Sequence, residues 1–278
     1  MSDLAVGCNM LGRILVQQKK LEQAEPILDE ARKIREKLAG DASGDMAAKA
    51  NLARSYHALG LLYSNTGRTG MALSIFDKEV VMREDLVRRY AAVSVFQSDL
   101  AAVLYDRARD LYRVGRTAEA LNSFKRSREI EQALFDASPT VIARRRGLAL
   151  CDIAIGKVLF ETGQAREALA SYERARDHLE TAVREQPESA QYRHNLSATY
   201  FLLGQLLAQN GRPADARESF ARGRAALEVL LKKAPEDSRF RIGVAENRSR
   251  RTRCCSAARP EGRRHDPPST CAQARGPW

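Results

Sequence analysis

The sequence lacks the features that mark membrane and secreted proteins. Its 278 residues contain no run of about 18 apolar residues, the length that a membrane-spanning helix needs. Residues 1–18 lack the basic start and apolar core of a signal peptide. The five cysteines are an odd number and lack the regular spacing of a disulfide framework. These absences favour a protein of a reducing cytoplasm that does not enter the membrane.

Aromatic residues are also scarce, at 6% of the chain, whereas charged residues reach 29% and hydrophobic residues 44%. This balance is typical of many amphipathic helices and is less suited to a β-sandwich or a β-barrel. Composition therefore predicts an all-α protein.

Motifs for catalysis and cofactor binding are missing as well. The sequence has no His-Glu-x-x-His zinc pair, no phosphate-binding loop that ends in Gly-Lys-Ser/Thr, and no dinucleotide-binding glycine pattern after a strand. One cluster has metal-ligand residue types, but its spacing matches no common zinc module: Cys254, Cys255, His265 and Cys271. We therefore expect no enzyme activity, no cofactor, no metal and no small-molecule substrate.

What the sequence does contain is a repeat of constant length. Alanine recurs every 48 residues, at Ala24, Ala72, Ala120, Ala168 and Ala216. This register divides residues 1–245 into five units that begin at residues 5, 53, 101, 149 and 197. Within each unit, the eighth place is small and the twenty-fourth place is large: Gly12, Gly60, Ala108, Gly156 and Gly204, then Leu28, Phe76, Phe124, Tyr172 and Phe220.

With a small residue at place eight, alanine at place twenty and a ring at place twenty-four, the array resembles the tetratricopeptide repeat family. The resemblance covers residues 5–244. It implies a right-handed α-solenoid of five helix-turn-helix repeats, in which small residues mark the point where paired helices cross. The family's unit has about 34 residues, so both helices are expected to be longer here.

Glycine and proline predict where these helices end. Four glycines lie between the two halves of a unit and offer the left-handed conformation that ends a helix: Gly67, Gly115, Gly163 and Gly211. The first unit has Lys19 at that place, which leaves its turn less clear. Prolines at place thirty-nine should stop the second helix: Pro139, Pro187 and Pro235.

Three residues depart from the pattern. Arg107 replaces an apolar residue, and we expect its methylene groups to lie along the core while its head group reaches water. Glu79 and Gly223 replace a small, alanine-like residue, and looser packing is expected in those two layers.

Residues 246–278 contain no Leu, Ile, Val, Met, Phe or Tyr and carry eight arginines against three acidic residues. Such a segment predicts a disordered tail. Two explanations stay open, a basic arm that binds nucleic acid and a sixth repeat that is truncated or read out of frame. The second would leave the apolar face of the fifth repeat exposed, which predicts self-association through the C-terminal repeat.

Without a catalytic motif, the repeat predicts a scaffold that binds a protein or peptide in its concave groove. The alternative is a detached regulatory region, because similar long repeats follow the catalytic domain of some bacterial serine/threonine kinases. Nucleic-acid binding is disfavoured, since residues 1–245 have only a modest excess of positive charge.

If the family's geometry holds, the groove is formed by places two, five, nine, twelve and thirteen of each unit. These places hold Arg13, Arg54, His57, Tyr105, Arg109, Tyr112, Arg113, Lys157, Phe160, Gln205 and Gln209. Glu161 is the one acidic residue at the same places, so the surface has a formal charge of +4. It predicts an acidic, partly aromatic partner segment, with Arg109 and Arg113 contributing most to binding.

Overall fold

The computed structural model describes residues 2–41 and 45–257, with side chains as far as Arg250. This part of the chain folds into eleven α-helices. In chain order they are α1 (Ser2–Gln17), α2 (Leu21–Asp41), α3 (Met46–Asn65), α4 (Thr69–Arg89), α5 (Ser94–Arg113), α6 (Thr117–Ala137), α7 (Ile142–Glu161), α8 (Ala165–Glu185), α9 (Ala190–Gln209), α10 (Pro213–Lys233) and α11 (Ser238–Ala257).

The helices form an α-solenoid in which each helix packs against the one before it and the one after it. Contacts also join α1 to α3, α3 to α5 and α7 to α9, which are the first helices of successive units. These first helices therefore lie side by side, and α5 is joined to α7 by the hydrogen bond between Tyr112 and Glu161. None of the described helices is long and apolar enough to cross a membrane.

Turns between the two helices of a unit repeat every 48 residues, as do the helix starts from Met46 to Ser238. Gly67, Gly115, Gly163 and Gly211 have φ angles between 73° and 81°. Lys19 has the same left-handed conformation, with φ at 60°. The first unit thus makes the same turn with a residue for which this conformation is unfavourable.

The crossing of the two helices explains the residues at places eight and twenty-four. Phe76 and Tyr172 are wholly buried and lie across Gly60 and Gly156. A Cβ atom at Gly60 would lie 2.4 Å from the Phe76 ring, and one at Gly156 would lie 2.6 Å from the Tyr172 ring. The ring of the second helix therefore occupies the space that glycine leaves on the first.

The structure shows which partners hold Arg107. Its Nε lies 2.6 Å from Asp77 Oδ1 and its Nη1 donates to Ser123 Oγ at 3.1 Å. Only 20% of the side chain is exposed. Because Asp77 is itself 56% exposed, the head group lies at the solvent-exposed surface and is held there by a carboxylate and a hydroxyl.

Loose packing at Glu79 and Gly223 is not what the structure shows. Glu79 is wholly buried and accepts a hydrogen bond from Arg83 Nε at 2.5 Å. At Gly223, the backbone oxygen accepts a hydrogen bond from Ser197 Oγ at 2.7 Å, and an added Cβ would lie 2.9 Å from Asn247 Oδ1. The layer at Glu79 is filled by its ion pair with Arg83. The layer at Gly223 is filled because neighbouring helices lie close to the glycine backbone.

The C-terminal end also differs from the prediction. The boundary predicted between residues 245 and 246 falls inside α11, which continues to Ala257. Phe240 of α11 packs with Leu227 and Leu230 of α10, so the fifth repeat is covered and not exposed. The helix can continue because residues 246–257 contain neither glycine nor proline. The remaining tail, including His265 and Cys271, lies outside the described residues.

Candidate functional site

The predicted groove residues lie on the first helices of the five units. We call the face formed by α3, α5 and α7 the first-helix wall. Its predicted members are Arg54, His57, Tyr105, Arg109, Tyr112, Arg113, Lys157 and Phe160. Arg13 lies on α1, and Gln205 and Gln209 lie on α9, so these three flank the wall on either side.

His57 is the centre of a polar cluster that joins α3, α4 and α5. Its Nδ1 lies 3.2 Å from Glu79 Oε2, and its Nε2 lies 3.7 Å from Asp106 Oδ2. Arg83 binds Glu79 from the same helix and lies 2.6 Å from Asp99 Oδ2 on α5. Three helices are therefore tied together by charges beneath the wall.

The pKa of His57 reflects these neighbours. Burial favours the neutral ring, but the hydrogen bond with Glu79 and the charges of Glu79 and Asp106 outweigh it and raise the pKa. Burial also raises the pKa of the Asp106 carboxyl, although His57 and Arg109 oppose that shift. The imidazole is thus held closer to its charged form than a free histidine would be.

Arg109 and Arg113 lie one turn apart on α5, and each is paired with a carboxylate three residues earlier. Arg109 Nη1 is 3.0 Å from Asp106 Oδ1, and Arg113 Nη1 is 2.6 Å from Asp110 Oδ1. The two arginine side chains are 26% and 38% exposed. Both therefore reach the surface of the wall with part of their charge already compensated.

Asp110 is wholly buried and links α5 to α3. Ser64 Oγ donates to Asp110 Oδ1 at 2.9 Å, and Arg113 Nη1 also donates to the Ser64 backbone oxygen at 3.2 Å. Burial raises the pKa of Asp110, and the hydrogen bond from Ser64 and the positive charges of Arg113 and Arg109 oppose the shift. This carboxylate fixes the position of Arg113 on the wall.

Aromatic and charged side chains meet between α5 and α7. The Lys157 ammonium lies 5.2 Å from the centre of the Tyr112 ring, within the range of a cation–π interaction. The Tyr112 hydroxyl donates to Glu161 Oε2. Burial lowers the pKa of Lys157, with Glu161 acting in the opposite direction. Side chains from two consecutive units therefore form one surface.

Tyr105 is packed more deeply, with its ring centre 5.3 Å from that of Phe124 in an edge-to-face arrangement. Burial raises the pKa of its hydroxyl, whereas the positive charges of Arg109 and Arg146 lower it. Both guanidinium groups thus lie close enough to act on Tyr105. Arg146 lies on α7, outside the places predicted for the groove.

The described residues were compared with two requirements of catalysis, a metal-binding group and a reactive thiol. No group of three His, Cys, Asp or Glu side chains there could hold a metal ion. Cys151 is buried, and burial raises the pKa of its thiol to about 12. A thiol with so high a pKa is not a nucleophile near neutral pH.

Comparison with protein families places four matches along the chain. Models of the tetratricopeptide repeat match residues 4–45, 53–78, 101–124 and 153–226. The chain carries tetratricopeptide repeats. No curated protein matches the sequence.

Several solved structures share the fold. BtubC (BKLC) from P. vanneervenii has a TM-score of 0.57 at 14% identity, covering 91% of this chain and 97% of that one. The apo form of RapI has a TM-score of 0.63 at 15% identity, covering 91% of this chain and 84% of that one. The TPR-like repeats of a putative kinesin light chain from Podosopora anserina reach 0.50 at 21% identity, covering 83% and 97%.

The places predicted for the groove leave out two acidic residues of α5 that lie beside the predicted arginines. Asp106 and Asp110 lie at places six and ten, which the family's groove pattern does not count. They add two negative charges next to Arg109 and Arg113 and lower the positive charge expected of the wall. The signal was present in the sequence, because an acidic residue three positions before an arginine lies beside it on a helix.

Proposed function

We propose that this chain is a non-catalytic scaffold that binds a protein or peptide in a concave groove formed by the first-helix wall. Tetratricopeptide repeats generally act as protein-interaction scaffolds, and stacked repeats offer an extended surface for a partner. The buried, weakly acidic thiol of Cys151 supports a role in binding over one in covalent catalysis.

Continuity of the wall is the observation that carries this proposal. His57 reaches Asp106, Arg113 reaches Ser64, and Tyr112 reaches Glu161, so side chains of three successive units interlock. Consecutive units thus make one surface of fixed geometry, which suits an extended segment lying across α3, α5 and α7.

The chemistry of the wall favours an acidic partner with aromatic side chains. Arg109 and Arg113 are partly exposed and can each offer hydrogen bonds to a carboxylate. Tyr112 and Phe160 are partly buried and contribute rigid apolar area beside them. Nucleic acid is a poorer fit, because the acidic Glu161 is exposed on the same surface.

An array of immobilised peptides of about 12 residues tests the proposal, since a segment of that length extends across several helices. Peptides are grouped as acidic with aromatic residues, acidic without them, neutral aromatic and basic. We expect the full chain to retain the first group best, and retention to fall as salt is raised. Equal retention of all groups would remove the support for groove recognition.

Two variants locate the binding surface. Arg109→Gln should weaken binding of the selected peptides at least about tenfold, as for an arginine central to an interface. Arg88→Gln is the control, because Arg88 lies on the second helix α4, is 76% exposed and pairs with a carboxylate three residues away, as Arg109 does. A similar loss in both variants would indicate non-specific attraction to positive charge.

We further propose a cytoplasmic location. The two thiols that the structure describes, Cys8 and Cys151, are both free, which suits a reducing compartment.

A further inference from the structure

His57 of the first-helix wall contacts Asp106, the carboxylate that also binds Arg109. The His57 side chain is 25% exposed, so the edge of its ring reaches the surface of the wall. Its Nε2 lies 3.7 Å from Asp106 Oδ2, while Arg109 Nη1 lies 3.0 Å from Asp106 Oδ1. One carboxylate of α5 therefore serves both an imidazole of α3 and a guanidinium group of its own helix.

The other nitrogen of the ring faces charges of α4. His57 Nδ1 lies 3.2 Å from Glu79 Oε2, and Arg83 Nε lies 2.5 Å from Glu79 Oε1. Arg83 Nη1 also lies 2.6 Å from Asp99 Oδ2 of α5. Glu79 thus shares its guanidinium group with a second carboxylate, and a protonated imidazole gives it a further cation.

Helices α1 and α2 also pack against α3, but their charged side chains do not bind the ring. Arg35 and Glu36 of α2 form hydrogen bonds with other residues of α3. Arg54 of α3 donates within its own helix. The charged residues of α1 are Asp3 and Arg13, and neither is among the ion-pair partners that the described chain gives the ring. The groups that bind the ring therefore belong to α4 and α5.

These surroundings make the ring a titratable part of the wall. Burial lowers the pKa of His57, but the hydrogen bond with Glu79 and the charges of Glu79 and Asp106 outweigh burial and raise it above 6.5. The ring consequently changes its charge as pH rises through a range in which carboxylates and guanidinium groups keep theirs.

We infer that protonation of His57 regulates the groove, so that an acidic partner segment binds more tightly when the ring is charged. The inference rests on the proposed function. A charged ring compensates Asp106, which leaves more of the Arg109 charge for a carboxylate of the partner, and it adds one positive charge to the wall. A neutral ring leaves Asp106 to Arg109 alone. By linkage, a bound acidic segment also strengthens proton binding by the ring.

Fluorescence anisotropy with the full chain between about pH 6 and pH 9 tests the inference. The probe is the acidic aromatic peptide that the array retains best, acetylated and amidated and free of histidine and cysteine, so its own charge stays constant over this range. The wild type should bind about threefold to tenfold more weakly at the upper pH, as expected for the loss of one charge near the binding surface. His57→Gln should show little change with pH.

Two further variants identify the titrating group and the residue through which it acts. His178→Gln is the matched control, because His178 lies on the second helix α8, outside the first-helix wall. It should keep the pH dependence of the wild type. Asp106→Asn should bind more tightly than the wild type at the upper pH and should depend less on pH, since Arg109 is no longer held by a charge. Unfolding curves identify the intact variants, and Asp106→Asn decides the test if His57→Gln does not fold.

The coupling between His57 and Arg109 can also be measured without a partner. Titration of the His57 ring by NMR in the full chain should give a lower pKa in Asp106→Asn, which removes an attracting charge. It should give a higher pKa in Arg109→Gln, which removes the competing cation. An unchanged pKa in both variants would overturn the shared role of Asp106.

The outcomes separate this inference from the proposed function. Binding that weakens equally with pH in the wild type and in His57→Gln overturns the inference and leaves groove recognition intact. Loss of the pH dependence in His178→Gln would assign the titration to α8 and overturn it as well. If no peptide of the array binds at any pH, groove recognition fails and its regulation fails with it, while the NMR titration still decides whether His57 and Arg109 share Asp106.

Discussion

His57 Nδ1 lies 3.2 Å from Glu79 Oε2, and the Glu79 side chain is wholly excluded from solvent. Glu79 stands where other units have a small residue, such as Ala31 or Ala175, so this unit replaces apolar packing with charge pairing. Arg83 compensates part of the Glu79 charge from the same helix. His57 is the second charged partner of Glu79 when its ring is protonated.

We predict that His57 makes stability depend on pH. Its pKa is raised above the ordinary 6.5, so the protonated ring binds Glu79 and Asp106 more strongly in the folded state. The stabilisation is complete below pH 6.5 and is lost as pH rises through the folded pKa. Urea unfolding of the wild type and His57→Gln should therefore differ more at pH 6 than at about pH 9.

Since both proteins contain the same carboxylates, the difference between them isolates the histidine. His194→Gln is a suitable control, because burial lowers the pKa of His194 and reverses the sign. A stability difference for His57→Gln that stays constant from pH 6 to about pH 9 would contradict the role of its charge.

The turn at Lys19 predicts a stabilising substitution. Lys19 adopts φ of 60°, where a side chain is disfavoured by about 1 kcal/mol or more. Lys19→Gly should raise the free energy of unfolding by about 1 kcal/mol, and Gly163→Ala, at φ of 80°, should lower it by a similar amount. Urea midpoints measure both. A loss of stability in Lys19→Gly would mean that the lysine side chain makes contacts that outweigh the strain.

The helix crossing predicts a steric cost at Gly156. An alanine there would bring Cβ to 2.6 Å from the buried ring of Tyr172, so α7 and α8 must separate. We expect Gly156→Ala to destabilise the protein by about 1–3 kcal/mol in thermal or urea unfolding. Gly70→Ala is the control, because a Cβ at Gly70 meets no atom within 4 Å. Equal stability of the two variants would show that the crossing adapts without cost.

The sequence predicts those features of the fold that are set by neighbouring residues along the chain, such as turns and helix ends. Gly163 and Pro187 act through backbone sterics within one turn, so their spacing located the turn and the helix end correctly. Asp106 and Asp110 act through pairs specific to the third unit, where the second unit has Ala58 and Leu62. A pattern shared by all five units therefore could not predict these two acidic residues.

Composition failed at the C-terminal end for a related reason. Residues 246–250 lack large apolar side chains, yet Asn247 is buried against Gly223, whose missing side chain lets α11 approach. Asn247 Nδ2 donates to the Gly243 backbone oxygen at 2.9 Å. Asn247 thus extends the docking of α11, whose first turns are held against α10 by the apolar contacts of Phe240 with Leu227 and Leu230. The average hydrophobicity of residues 246–278 does not register these contacts.

The last prediction concerns the carboxylate beneath Arg113. Asp110 lies 2.6 Å from the Arg113 guanidinium and compensates part of its charge, which weakens the attraction of Arg113 for an acidic partner. Asp110→Asn removes that charge but keeps an oxygen that can accept the hydrogen bond from Ser64. Because burial already raises the pKa of Asp110, neutralising it should cost the fold little. We expect Asp110→Asn to strengthen binding of an acidic aromatic peptide by about threefold to tenfold.

Arg113→Gln should weaken the same peptide, and the double variant should bind no better than Arg113→Gln alone, because the carboxylate acts through the arginine. Fluorescence anisotropy at low and high salt measures all three, and the gain should shrink as salt screens the charge. Unfolding curves check that each variant is intact. If Asp110→Asn weakened binding while its unfolding curve matched that of the wild type, the loss of Arg113 positioning would outweigh the gain from removing the negative charge, and the prediction would be wrong.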